Sequence, residues 1–104
     1  MTTNQKLVIA GREFESRLFL GTGKFASNAG MAAALDASGT EIVTVALRRA
    51  DLSGKADPYA NLLDFVDPKR YLILPNTSGA IDAGEAVRLA RLAAAAGLPK
   101  WVKL

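Results

Sequence analysis

Polar residues able to do chemistry follow the short apolar stretches of this chain: Gly21-Thr22-Gly23-Lys24, then Arg48 and Arg49, then Asn76-Thr77-Ser78-Gly79, and last a single charge inside Trp101-Val102-Lys103-Leu104. The chain has no cysteine and no histidine. Thiolate nucleophiles, disulfides and cysteine metal sites are therefore excluded, and the commonest general base and metal ligand is missing. No metal is expected. Lysine is the natural covalent catalyst among the groups that remain, since a neutral amine adds to a carbonyl and forms an imine. For Lys103 this needs desolvation, or nearby cations such as Lys24 or Arg48, to bring its pKa down from about 10.4. On spacing alone the ordinary reading is a lysine that snorkels to solvent from a chain end.

The other clusters each have two readings. "GTGK" is not a nucleotide P-loop, which needs four residues between its glycines and Ser or Thr after the lysine; here one residue separates Gly21 from Gly23, and Phe25 follows. The dinucleotide fingerprint fails as well, because its third glycine would fall at Ala26. The glycines suit either a tight strand-to-helix turn or ligand-facing backbone amides. Arg48 is either a solvated loop charge beside Asp51 or a ligand contact. Asn76 and Thr77 are turn formers, or donors at a strand end suited to carbonyl and hydroxyl recognition. Arg48, Asn76 and Thr77 are thus the substrate-binding candidates. Together with Lys103 they suit a phosphorylated, oxygen-rich small molecule.

These residues must be positioned by a small scaffold. A chain of 104 residues, 50% hydrophobic and 22% charged, has the composition of one globular domain. The net charge of +3 comes from scattered Lys and Arg that do not interleave with aromatics, which argues against nucleic acid. There is no membrane span and no signal-peptide core. A cytoplasmic location is the expectation.

Leu7-Val8-Ile9 and Glu13-Phe14-Glu15 around Ala10-Gly11-Arg12 predict a hairpin. Leu18-Phe19-Leu20 is a first strand, 28–38 a helix stopped by Gly39, and 41–47 a β-branched second strand. A polar loop over 48–60 leads to a short helix, "ANLLDFV", ended by Asp67-Pro68. Tyr71 to Leu74 is a third strand. Asp82 and Glu85 have capping-box spacing for a last helix that Gly97 and Pro99 terminate. Its small face, Ala83, Ala86, Val87, Ala90 and Ala94, is expected against the sheet. Trp101 to Leu104 begins a fourth strand.

The order predicts an α/β fold with four parallel strands and three helices after a short hairpin. A doubly wound sheet and half of an eight-stranded barrel both fit. A last strand without a covering helix points to the half-barrel. In either case function sits at the carboxyl ends of the strands.

Taken together and in order, "SRLFLGTGKFAS", "TVALRRAD", "YLILPNTSGA", "EAVRLARLA" and "WVKL" resemble bacterial thiazole synthase, the ThiG family, from about Leu7 to Leu104. The resemblance implies a (β/α)₈ TIM-type barrel that makes the thiazole phosphate half of thiamin. It implies that Lys103 is catalytic, forming an imine with the ketone of 1-deoxy-D-xylulose 5-phosphate, so that the neighbouring carbon is acidified and the ketone migrates. Sulfur then arrives as a thiocarboxylate on the C-terminus of the carrier protein ThiS, dehydroglycine supplies carbon and nitrogen, and loss of water closes the ring. No metal or organic cofactor is implied.

Such barrels run to about 250 residues. By this resemblance residues 1–104 are a single-domain fragment, the N-terminal half, inactive without the C-terminal half of the barrel. A homo-oligomer is expected. An acid–base glutamate two positions after the lysine, a catalytic aspartate and the glycine-rich phosphate loops would belong to the other half. Arg48, Asn76 and "GTGK" do not map onto the family's phosphate site. Two other readings of the residues stay open: an aldolase-type barrel forming an imine with another sugar phosphate, and a non-catalytic α/β module that binds a protein partner.

Overall fold

The computed structural model describes residues 5–46 and 64–104. The first described elements form a hairpin of β1 (Leu7–Ile9) and β2 (Arg12–Phe14), paired antiparallel with Leu7 opposite Phe14. Ala10 and Gly11 both have positive φ, 49° and 78°, as a two-residue type I′ turn demands. That turn leaves Arg12 opposite Ile9, so the second strand starts and ends one residue earlier than its apolar pattern suggests.

Three parallel strands follow, β3 (Phe19–Gly21), β4 (Ile42–Ala46) and β5 (Leu72–Asn76), in the spatial order β3-β4-β5. Their register sets Phe19 level with Ile42, and Ile42 level with Leu72. Between β3 and β4 runs α1 (Asn28–Ser38). Ser27 caps it by accepting from the Gly30 N–H at 3.0 Å, and Gly39 stops it with φ 71°, a left-handed position that glycine takes without steric cost.

After β5 comes α2 (Ala83–Ala95), whose N-cap Asp82 accepts from the Glu85 N–H at 2.8 Å. Its far end is a Schellman closure. Leu98 N–H donates to the Ala93 carbonyl and Gly97 N–H to that of Ala94, with Gly97 at φ 87°. Among the described residues, no helix is long and apolar enough to cross a membrane.

Successive strand residues face opposite sides of the sheet, and the two faces bury different cores. On the helix side Val43, Val45, Tyr71 and Ile73 pack with Met31 and Leu35 of α1, Leu89 and Ala93 of α2, and Val66 and Leu98. On the other side Ile42, Leu72 and Leu74 pack with Phe14, and with Leu7, Ile9 and Trp101 at its margin. The hairpin covers that second face. It is held there by Glu41, whose Oε1 accepts from the Glu15 N–H at 3.0 Å and the Ser16 N–H at 3.1 Å.

The structure departs from the sequence pattern elsewhere as well. The stripe of α2 that packs is Leu89 and Ala93, whereas Ala83, Val87 and Ala94 of the expected small face are exposed. The reason is that burying one leucine removes more apolar area from water than burying an alanine. The expected third strand starts at Leu72 and extends through Pro75 to Asn76. Most of the expected helix "ANLLDFV" lies outside the described residues, and its last part, Asp64 to Val66, is turn and bend. Among the described residues the sheet therefore has three strands and the fold two helices. The expected fourth strand is represented by a single parallel bridge from Lys103 to Asn76.

Candidate functional site

The carboxyl ends of β3, β4 and β5 meet along one rim, and Lys103 joins it through its backbone. Lys103 N–H donates to the Pro75 carbonyl at 2.8 Å, and its carbonyl accepts from the Thr77 N–H at 3.0 Å. Both main-chain groups of Lys103 are thus committed to β5, and its Cα lies level with that of Asn76. Because residues two apart share a face, Lys103 lies on the side of Trp101, the side opposite the helices.

Asn76 stands next to it. Its Oδ1 accepts from the Ser78 N–H at 3.0 Å, an Asx turn that fixes the side chain and leaves the amide donors available. Thr77 is buried, and its carbonyl accepts from the Ala80 N–H at 3.0 Å. Gly79 sits at φ 85° in that turn, the positive φ that a type II turn requires at its third position. So "PNTSGA" does the work of a turn. The turn sets Asn76 and Lys103 side by side, while Thr77 is taken up in joining the last strand to it. Arg48 lies outside the described residues.

At the other end of the rim, Gly21 is level with Thr44, and Thr22 Oγ1 donates to the Thr44 carbonyl at 3.1 Å. The chain bends at Gly23 and Lys24 between β3 and α1. Neither Gly21 nor Gly23 is at positive φ; Lys24 is, at 68°, in a region that costs a side-chain-bearing residue about 1–2 kcal/mol. Lys24 is exposed.

Lys103 is exposed too, and its amine makes no hydrogen bond or ion pair among the described residues. No group of three metal-ligating side chains comes together among them either. Among the described residues, a perturbed charge lies ahead of β5. There Arg70 donates to Asp36 and stacks its guanidinium 5.0 Å from the Tyr71 ring centre. The Asp36 hydrogen bond raises the pKa of Arg70.

Sequence reasoning missed two residues that shape this rim. Trp101 packs edge-on against Phe14, ring centres 6.1 Å apart and planes at 86°. Its relation to Lys103 was readable as an i, i+2 pair, but its partner across the fold was not. Pro75 interrupts no pairing with β4, since its nitrogen points to the outer side. There the missing N–H shortens the ladder to Lys103.

Comparison with known proteins gives a consistent picture. The family model described as "Thiazole biosynthesis protein ThiG" matches residues 8–104. A thiazole synthase of Syntrophobacter fumaroxidans is 61% identical over 101 residues, covering 97% of this chain and 38% of that protein. Thiazole synthase 1 of Syntrophotalea carbinolica is 66% identical over 99 residues, 95% of this chain and 37% of that protein. The thiazole synthase of Geobacter metallireducens is 56% identical over 103 residues, 99% of this chain and 39% of its own. The chain spans under two-fifths of the length of these relatives.

Proposed function

The chain belongs to the ThiG family of thiazole biosynthesis proteins, and on that premise we propose that it forms the N-terminal half of a thiazole synthase barrel and supplies its imine-forming lysine, Lys103. The observation that carries this reading is the bridge between Lys103 and Asn76. It puts a primary amine at the carboxyl end of a parallel sheet, on the face turned away from the helices. In a closed (β/α)₈ barrel that face is the interior and that end is the catalytic rim. The hairpin, with Phe14 and Trp101, plugs the opposite end of the same face.

In this reading the Lys103 nitrogen attacks the ketone carbon of 1-deoxy-D-xylulose 5-phosphate, water leaves, and a protonated imine forms. The positive nitrogen acidifies the adjacent C–H, so a proton is lost there and the carbonyl character migrates along the sugar. Sulfur from the thiocarboxylate of ThiS and the carbon and nitrogen of dehydroglycine then complete the ring with loss of water. In this reading the amide donors of Asn76 bind a hydroxyl or carbonyl oxygen of the sugar; its Oδ1 is engaged by the Ser78 N–H. Thr77 contributes through its backbone, and Arg48 contacts the substrate away from its phosphate. The rest of the barrel, and with it the phosphate loops and the acid–base groups, comes from elements outside these residues. A homo-oligomer of completed barrels is the assembly proposed.

The test is borohydride trapping with deoxyxylulose phosphate, followed by intact mass and peptide mapping. It is run on this chain alone and after addition of a polypeptide covering the remaining length of a thiazole synthase relative. The expected result is a sugar-phosphate adduct on Lys103 that needs the second polypeptide and disappears in Lys103→Arg, which stays cationic and forms no imine. A folded, completed barrel without an adduct at Lys103 overturns the reading.

A further inference from the structure

We propose that Trp101 is the positioning residue for Lys103: its ring, packed against Phe14 of the hairpin, sets the register of the last strand and thereby decides which side chain stands beside Asn76. This rests on the reading of Lys103 as the imine-forming residue.

Ahead of Lys103 the backbone gives this strand little register information. Its pairing with β5 is the single bridge at Asn76, made by the two hydrogen bonds of Lys103. One step earlier, a parallel ladder would have residue 75 donate to the Trp101 carbonyl. Residue 75 is proline and has no N–H to give. Ahead of Lys103 the ladder that elsewhere fixes register over several residues is therefore broken.

Side-chain packing takes over that task. Two residues before Lys103 and so on the same face, Trp101 packs at the margin of the core formed by Phe14, Ile42, Leu72 and Leu74. Its ring meets Phe14 edge-on, a favoured aromatic geometry. Phe14 is a fixed mark, 2% exposed, in a hairpin tied to the start of β4 through the two backbone bonds to Glu41. A slip of one residue would turn Trp101 to the helix side and bring Val102 or Leu104 beside Asn76. It would also move the amine by about 3.3 Å along the strand. Misplacement of a reacting group by 1 Å is enough to cost roughly a hundredfold in rate.

The experiment uses the chain completed with the rest of the barrel and measures the trapping rate at Lys103 against deoxyxylulose phosphate concentration. Trp101→Ala is expected to lower the rate at saturation about a hundredfold with little change in half-saturation, whereas Trp101→Phe keeps most of it. Phe14→Ala is expected to act through the same contact, so the double variant is no slower than Trp101→Ala. A wild-type rate in Trp101→Ala overturns the proposal, as do independent, multiplying losses in the double variant. If the alanine variant does not fold, Phe14→Leu replaces it, and a normal trapping rate there overturns the proposal. Absence of an adduct in the unsubstituted protein strikes the imine reading instead. Register is then read from exchange of the Lys103 amide, expected to lose protection in Trp101→Ala, and retained protection refutes it.

Discussion

Glu41 joins the hairpin to the sheet, and Glu41→Ala should loosen one without unfolding the other. In the folded chain a single carboxylate oxygen accepts from the Glu15 and Ser16 N–H groups at 3.0 and 3.1 Å. A hydrogen bond to a charged group contributes about 1.5–3 kcal/mol. Here the two donors share one oxygen and the Glu15 amide is exposed, so water replaces part of what is lost. The expected cost is about 2 kcal/mol for the pair together. With a urea slope of about 1–1.5 kcal/mol per M for a chain of this size, the unfolding midpoint should fall by roughly 1.5 M. Glu41→Gln keeps a neutral acceptor and should lose about half as much. The assay is urea unfolding followed in parallel by far-ultraviolet circular dichroism and by fluorescence of Trp101, the only tryptophan. Because Trp101 rests on Phe14, its emission should shift to the red at lower urea than the helices melt. A Glu41→Ala midpoint within experimental error of the parent, with unchanged emission, would refute the reasoning that this carboxylate seats the hairpin.

Two further substitutions test the scaffold by urea or thermal unfolding. Leu35→Ala removes a fully buried side chain from the helix-side core and should cost about 2–5 kcal/mol, since lost burial and the residual cavity add; a loss under about 1 kcal/mol would mean that the core is not packed as described. Gly39→Ala meets no neighbouring atom but must hold φ at 71°, so it should cost about 1–2 kcal/mol through backbone strain alone. Gly39→Asn, better suited to the left-handed region, should recover part of that loss.

Much of the scaffold was legible in the sequence because its signals are local. The bounds of α1 follow from an alanine-rich run between a serine and a glycine, and each of these acts within one turn of the helix. The Asp82 cap and the Gly97 stop of α2 are equally short-range. The apolar runs of β3, β4 and β5, alternating with helices, were enough to expect a parallel sheet. Lys103 as the unusual residue was legible too, from its charge inside an apolar strand and from the family pattern around it.

Other features could be decided only by the assembled fold. An alanine-rich helix offers nearly the same surface all round, so the stripe of α2 that packs was chosen by the docking of Leu89. The turn forms at Gly23 and Lys24 as its glycines suggest, but that its left-handed position is Lys24 was set by the path from β3 into α1. Thr77 and Asn76 are neighbours of similar chemistry. Thr77 is buried, and the bridge leaves Asn76 level with Lys103. Most of all, Phe14 and Trp101 touch although nearly the whole chain separates them in sequence. Local rules of propensity and capping reach a few residues along the chain. Which side chains meet across a sheet depends on pairing register and on the shape of two packed faces, and those exist only once distant segments have come together.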